Sequence, residues 1–372
     1  MSNRLITASA VARMAAVALR NRIIGGSYTS NQPASAVLAG KVGDSVRIKV
    51  QPAVTDAQEF TSTTSASDVT QRYTDVVLQK HFYDKASLTT SELSLSLDDL
   101  VQTVVLPKVN NIALSINKYI NAKTVGGFSR NLAGTIGNRP STVAHIVAAQ
   151  KVLDDAYIMG PRVGLVDTTA KASFMQLVQF ASEDYGANAA DQAAYQMGNK
   201  LGVEWVCDPS LGAFDRGDVA GSTTASGTAG ASTIAVASLT AATGTIKEGA
   251  ALTIAGNSTR FVVTADTAIV GNAVAALPIY PALPAGFSPS TAAITWEAAG
   301  YSNVIYSPGA VATAIVPPTP LWGMDSAIAM FDGIGMRVSW GGSLSTLASE
   351  MVIDCMVGAK VCQTEGGVRI CG

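Results

Sequence analysis

Residues 96–127 read SLDDLVQTVVLPKVNNIALSINKYINAKTVGG, and the fold turns on how this stretch is parsed. Ser96 is placed to cap a helix whose first turn carries Asp98 and Asp99, where carboxylates meet the exposed N–H groups and the positive end of the helix dipole. Pro107 has no N–H to give inside a helix but suits the first position of a new one, so the stretch reads as two consecutive helices. In the second, Val109, Ile112, Ala113, Ile116 and Ile120 recur at helical spacing, while Lys108, Asn111, Ser115, Lys118 and Ala122 fall on another face. Gly126-Gly127 is expected to end it. About 16 residues at 1.5 Å each make a rod of roughly 24 Å. An amphipathic rod serves any domain, so the rest of the reading rests on what surrounds it.

The chain has 372 residues, enough for two or three domains and a sizeable core. Charged residues make up 14% and apolar residues 48%, with 34 glycines and a formal net charge of −2. Such a chain exerts no bulk pull on nucleic acid or an anionic membrane. Its composition fits a protein that buries surface against copies of itself, and equally a well-packed single subunit. Cys207, Cys355, Cys362 and Cys371 show no C-x-x-C spacing. Neither a zinc site nor a disulfide framework is expected, and the four read as reduced thiols of a cytosolic chain. No apolar run reaches about 18 residues, so no spanning helix is expected.

Residues 4–24 carry Leu5, Ala8, Ala12, Ala15, Ala16, Leu19 and Ile23 on one helical stripe, with Arg13 and Arg20 off it. Arg13 interrupts the apolar core a secretory signal needs, so this is read as an amphipathic helix packing on protein; a transit peptide is the competing reading. Residues 25–39 have loop composition and suggest an extended arm. Ser45–Val50 alternates apolar and polar residues as a strand does, and a second strand region runs from about Gln71 past Gln79 toward Leu88. A two-stranded ribbon is marginal alone. It needs a surface, either a neighbouring molecule or its own domain.

Ser141–Ala156 reads as a helix capped by Ser141, Arg162–Val166 as a buried strand, Thr168–Asp184 and Ala189–Gly198 as helices, and Leu201–Cys207 as a strand. Residues 218–298 then turn poor in charge and rich in Ala, Thr, Gly and Ser. Short β-prone runs recur there: Ser232–Val236, Ala251–Ile254, Arg260–Thr264, Val274–Ile279 and Ala293–Trp296. They suggest an inserted small barrel or sandwich. A low-complexity linker is the alternative, against which the alternation in Leu252-Thr253-Ile254 speaks. Tyr301–Ile315 reads as strand and turn. The tail offers strands at Met336–Trp340, Ser349–Val357 and Val368–Cys371, with Ala359–Cys362 pairing the last across Glu365-Gly366-Gly367.

Motifs that carry chemistry are sparse. The two histidines, His81 and His145, read as structural or surface groups. There is no H-E-x-x-H, Walker loop, G-x-S-x-G or dinucleotide fingerprint, and Gly333-Ile334-Gly335 lacks the third glycine. Asp98-Asp99 and Asp154-Asp155 are explained by helix ends, since adjacent helical residues do not face each other. Arg130 and Arg139 flank a glycine-containing loop and could touch phosphate or simply line a solvated loop. No catalytic, cofactor or metal residues are expected, and no enzyme.

The order of parts, together with a few short motifs, resembles the major capsid protein of tailed phages, nearest to the podovirus-type coat family with its inserted β-domain. Gly43-Asp44-Ser45-Val46-Arg47-Ile48 resembles that family's opening of the extended loop, and Leu95–Pro107 with the following helix its spine. Lys247–Gly256 resembles its inserted domain. Gly335–Ser339, Ile353–Val361 and Gly367–Ile370 resemble its closing strands. The sequence departs from the pattern at Gly341-Gly342-Ser343.

The resemblance implies an α+β fold of the tailed-phage and herpesvirus major capsid type: an N-terminal arm (1–40), an extended β-hairpin loop (41–90), a spine-helix region of a peripheral domain (91–127), an axial α+β domain (128–217), an inserted all-β barrel (218–298), an axial return (299–334) and C-terminal peripheral strands (335–372). It implies a subunit that self-assembles as pentamers and hexamers into an icosahedral shell around phage DNA, with scaffolding and portal proteins as partners, weak non-specific DNA contact and no membrane. Assembly would occur in the host cytoplasm and the product would be the virion capsid. The expected core face of the spine is Val109, Ile112, Ile116 and Ile120; Arg13, Arg20 and Arg22 are the candidate inter-subunit arm residues. An encapsulin-like compartment and a secreted adhesin or surface-layer protein are the competing readings.

Overall fold

In the computed structural model, residues 101–128 form one unbroken helical run, not two helices. A π-type turn, Val101–Val105, passes directly into the α-helix Leu106–Phe128. The first 15-residue helix of the chain, Ala8–Arg22, is α1; this 23-residue one is α2. Pro107 lies one residue inside α2. A π turn, whose bonds reach five residues back, is where a helix absorbs a residue unable to donate to the usual acceptor. Gly126 and Gly127, expected to stop the helix, lie within it. At 1.5 Å per residue α2 is about 35 Å long.

The structure describes residues 8–24, 28–31, 43–50, 72–88, 101–181, 197–321, 323–343 and 348–372. The start of the expected first helix, residues 96–100 with Asp98 and Asp99, and most of the expected helix at 189–198 lie outside them. The chain divides into two units, Met1–Ile120 with Val311–Cys362, and Asn121–Ala310 with Gln363–Gly372. Residues of α2 up to Ile120 belong to the first and those from Asn121 to the second.

The first unit is built on a six-stranded sheet. Its strands are β1 (Ser30–Asn31), β4 (Lys80–Leu88), β18 (Val311–Val316), β19 (Asp325–Phe331), β20 (Ile334–Ser343) and β21 (Ala348–Val361), in the order β1-β18-β20-β21-β4 with β19 against β20. β21 runs for 14 residues, pairing β20 along its first half, β18 along its second and β4 throughout most of its length. The expected pairing of Ala359–Cys362 with the last strand does not form: Ala359, Lys360 and Val361 face Thr313, Ala312 and Val311. One face of the sheet carries Met336, Val338, Met351, Ile353 and Cys355, packed with Val109, Ile112, Ile116 and Ile120 of α2 and with the stripe Val11, Ala12, Ala15, Ala16 and Leu19 of α1. The N-terminal helix, read from the sequence as part of an arm, is thus core of its own unit.

The strand region expected from Gln71 to Leu88 is two strands. β3 (Arg72–Val77) pairs β2 (Ser45–Val50) as a ribbon, and β4 belongs to the main sheet. The base of the ribbon rests on its own unit. Ile48, Val76 and Leu78 pack with Ala312, Ala314, Val316 and Met356, and a Cβ on Gly358 would stand 2.5 Å from the Val77 carbonyl oxygen. Residues 51–71, the expected tip, lie outside the described residues.

The second unit holds a six-stranded sheet of β5 (Leu132–Ala133), β22 (Gly367–Ile370), β17 (Asn303–Tyr306), β6 (Val163–Val166), β8 (Val203–Cys207) and β7 (Asn199–Lys200), in that order. Its core includes Ile146, Leu153, Phe174, Phe180, Trp205 and Val368. Helix α3 (Val143–Asp155) is preceded by Thr142 as N-cap, not Ser141. The expected helix 168–184 breaks into α4 (Thr168–Phe174), capped by Asp167, and α5 (Val178–Ala181).

Between β8 and β17 the chain forms a closed barrel. Its strands are β9 (Thr224–Ser226), β10 (Thr233–Ala237), β12 (Ala251–Ile254), β13 (Arg260–Val263), β15 (Val274–Tyr280) and β16 (Ala292–Trp296), closing in the order β10-β15-β13-β12-β16-β9. A separate ribbon pairs β11 (Thr243–Ile246) with β14 (Thr267–Val270). Alternate residues point inward, so Ile234, Val236, Leu252, Ile254, Phe261, Val263, Leu277 and Ile279 fill the interior. Closure leaves the barrel strands no open edge.

Candidate assembly surfaces

In the first unit, the apolar spacing of α2 places Val109, Ile112, Ile116 and Ile120 inward, each at most 2% exposed. Two of the intervening polar residues are held by their own unit: Lys108 Nζ and Asn111 Nδ2 each lie 2.9 Å from an oxygen of Asp84 on β4, whereas Lys118 is exposed. Burial works against the Asp84 charge, but these donors outweigh it and hold the carboxyl below its ordinary range.

On the opposite sheet face, Arg337 of β20 grips Asp354 of β21, with Nε 2.9 Å from Oδ1 and Nη2 on Oδ2; both residues are buried. His81 Nε2 lies 2.8 Å from the same Oδ2, and Arg337 also donates to the Thr319 carbonyl. A bidentate pair with its remaining donors satisfied is the form in which buried charges are tolerated.

The three arginines assigned to an inter-subunit arm are on or at the end of α1. Arg20 Nε is 2.6 Å from Asp332 Oδ2 of the same unit, so it holds α1 to the turn between β19 and β20. Arg13 and Arg22 are exposed.

Two of the sheet's outer strands, β4 and β19, differ. β4 presents His81, Tyr83 and Lys85 on its solvent side, with Lys85 paired to Glu350. β19 carries Ile328, Met330 and Phe331, each exposed by more than 40%, next to exposed Met324 and Leu321. Among the described residues β19 pairs with β20 alone. Charged edges resist pairing with other chains, whereas an apolar edge invites it.

In the second unit the barrel meets the end of α2. A Cβ on Gly126 would stand 2.9 Å from the Glu248 carbonyl oxygen. Lys123 Nζ lies 3.0 Å from Asp266 and 3.5 Å from Glu248. Burial and neighbouring Asp266 push the Glu248 carboxyl up, whereas the Glu248 N–H and Lys123 outweigh burial to hold Asp266 down. Arg260 of β13 clasps Glu297 (2.9 and 3.1 Å) and donates from Nη1 to the Ser129 carbonyl at 3.0 Å, at the negative end of the helix dipole.

Arg130 lies over the Tyr280 ring and Arg139 over that of Tyr301, 4.8 and 4.0 Å from the centroids, so an aromatic face meets each guanidinium plane. His145 Nδ1 accepts from the Ser141 N–H and lies 3.1 Å from Thr142 Oγ1. Among the described residues no group of three or more His, Cys, Asp or Glu could hold a metal ion, and no helix is long and apolar enough to cross a membrane. The four cysteines are free thiols.

No family model and no curated protein matches the sequence. Among solved structures, the chain is similar to one from Mycobacterium phage Che8, at 13% identity and a TM-score of 0.48, covering 93% of this chain and 90% of that one. It is similar to a chain of the capsid of cyanophage P-SCSP1u at 12% identity and a TM-score of 0.42, with 90% of each covered. A chain of the virus-like particle from Pyrococcus furiosus aligns at 9% identity and a TM-score of 0.39, over 95% of this chain and 96% of that one.

Proposed function

We propose that this chain is the shell-forming subunit of a phage-type capsid, a structural protein that assembles into closed icosahedral particles around DNA. The observation that carries the reading is the order of parts: a packed N-terminal helix, a β-ribbon, one long helix, an α+β unit, a closed barrel spliced between two strands of that unit's sheet, and long C-terminal strands. This is the order implied by the family resemblance in the sequence. The apolar edge of β19 supports self-association, because a subunit that leaves Ile328, Met330 and Phe331 exposed beside a strand edge that no other described residue pairs gains stability when a partner covers them. The formal net charge of −2 suits a wall that encloses nucleic acid without gripping it. Scaffolding and portal proteins belong to this reading as partners.

Sedimentation of the purified full-length chain, followed by nuclease treatment, tests the proposal. Particles of many subunits that protect DNA are expected. Particles free of nucleic acid would favour an encapsulin-like compartment, and a chain that stays monomeric would contradict both.

A further inference from the structure

Where α2 meets the barrel, two acids draw on one lysine. Lys123 sits in the last two turns of α2, Glu248 in the turn between β11 and β12, and Asp266 in the turn between β13 and β14. The lysine ammonium is 3.0 Å from Asp266 Oδ2 and 3.5 Å from Glu248 Oε2. Asp266 Oδ1 also accepts the Glu248 N–H at 2.8 Å. Asp266 thus has the shorter contact to the lysine and a backbone donor besides, while Glu248 has the longer one. Of the other charged groups that face the two acids, Arg130 acts on Glu248 from its place over the Tyr280 ring, and Lys247 acts on Asp266.

Glu248 cannot carry its charge away from this seam. A Cβ on Gly126 would stand 2.9 Å from the Glu248 carbonyl oxygen and 3.7 Å from its Cγ, so both backbone and side chain lie against the helix. The Glu248 side chain is 28% exposed and that of Lys123 19%, so water screens their charges only in part. Burial is the largest influence on the Glu248 carboxyl; Lys123 and Arg130 oppose it, Asp266 adds to it, and the group ends above its ordinary range. Burial also works against the Asp266 charge, but the Glu248 N–H and Lys123 hold that carboxyl below its ordinary range. Of the two acids, Glu248 is the one that keeps a proton as pH rises.

We propose that Glu248 is a proton-operated latch on the seam between α2 and the barrel: with its proton, one carboxylate faces one ammonium and the seam closes; without it, two carboxylates contend for Lys123 and the seam loosens. A carboxyl whose folded-state value is raised stabilises the folded seam below its ordinary value and loses that contribution as pH rises through the raised one. Acidification from neutrality toward the ordinary glutamate range therefore tightens the attachment of the barrel, the reverse of what Asp84 does in the first unit.

Hydrogen exchange of the full-length chain from mildly acid to neutral pH, corrected for the pH dependence of intrinsic exchange, tests the proposal. The amides of Glu248, Gly249 and Val263 report on the seam, and the paired strands β9 and β10 serve as an internal reference within the same barrel. Seam protection is expected to rise relative to that reference as pH falls. Glu248→Gln keeps the shape without the charge and should hold the seam at its acid-side protection throughout, with the pH response lost. Asp266→Asn leaves Lys123 to Glu248 and should shrink the response. The response of the unmodified chain is read without either variant, so it decides the matter if they do not fold. Seam amides whose protection stays constant or falls on acidification, or a full pH response in Glu248→Gln, would overturn the proposal.

Discussion

Gly126 of the long helix and Gly249 of the barrel meet backbone to backbone: a Cβ on Gly249 would stand 2.7 Å from the Gly126 Cα. Gly249 also has a φ of +86°, so it is glycine for conformation as well as for space. Gly249→Ala is expected to destabilise the chain by about 1–3 kcal/mol, the usual cost of forcing atoms into a packed contact, and to make the 218–298 segment more sensitive to limited proteolysis. A variant as stable and as resistant as the parent would show that the contact does not hold the barrel.

The Arg337–Asp354 pair predicts an asymmetry. Asp354→Ala leaves Arg337 buried without its carboxylate and should cost about 3–5 kcal/mol in urea unfolding. Replacing both, as Arg337→Met with Asp354→Leu, should recover much of that loss, because the desolvated charges disappear together. Equal losses in the single and double variants would refute this account of the pair.

The core face of α2 predicts a contrast along one helix. Ile116 is fully buried, and a carboxylate there has no partner, so Ile116→Asp should abolish soluble folding; Lys118 is exposed, and Lys118→Ala should leave the fold and its melting temperature nearly unchanged. Circular dichroism and soluble yield read both.

Asp84 predicts an acid-side effect. Its folded-state pKa is lowered, so the folded state favours the carboxylate, and the resulting stability is present above the ordinary aspartate value and lost as pH falls through the lowered one. Lys108→Met should weaken the protein at neutral pH and reduce its loss of stability on acidification over that window. An unchanged pH profile would contradict the assignment.

The outer edge of β19 predicts a separation of folding from assembly. Ile328→Lys with Met330→Lys adds charge to an exposed apolar edge, the substitution by which sheets resist pairing. The variant should melt as the parent does and fail to form large particles in sedimentation. Unimpaired particle formation would remove this strand from the assembly surface.

How far the sequence reaches depends on whether the signal is local. Val109, Ile112, Ile116 and Ile120 are spaced by the helix itself, and the barrel runs such as Leu252-Thr253-Ile254 alternate within a few residues, so both were legible. Strand β19 was missed although Asp332-Gly333, both at positive φ, is the dipeptide that favours a two-residue hairpin turn between β19 and β20. The partner of β22 was misread because pairing is non-local: Val368 faces Ile305, sixty-three positions earlier, not the nearby Ala359–Cys362. Pro107 marked a local irregularity correctly, but a π turn and a helix break place the same residue there. The barrel junction was illegible for the same reason as β22, since Ser129, Arg260 and Glu297 come together only when the sheet and barrel have formed. Local reading also misleads at the N-terminus: residues 1–40 read as an arm, yet Val11, Ala12, Ala15, Ala16 and Leu19 belong to the core of the first unit.

Electron microscopy of the purified full-length protein tests the central claim most directly. Closed shells of uniform diameter with icosahedral symmetry, each built from many copies of this chain, are the predicted result. Single subunits under all assembly conditions, or open sheets and fibres without closure, would contradict it.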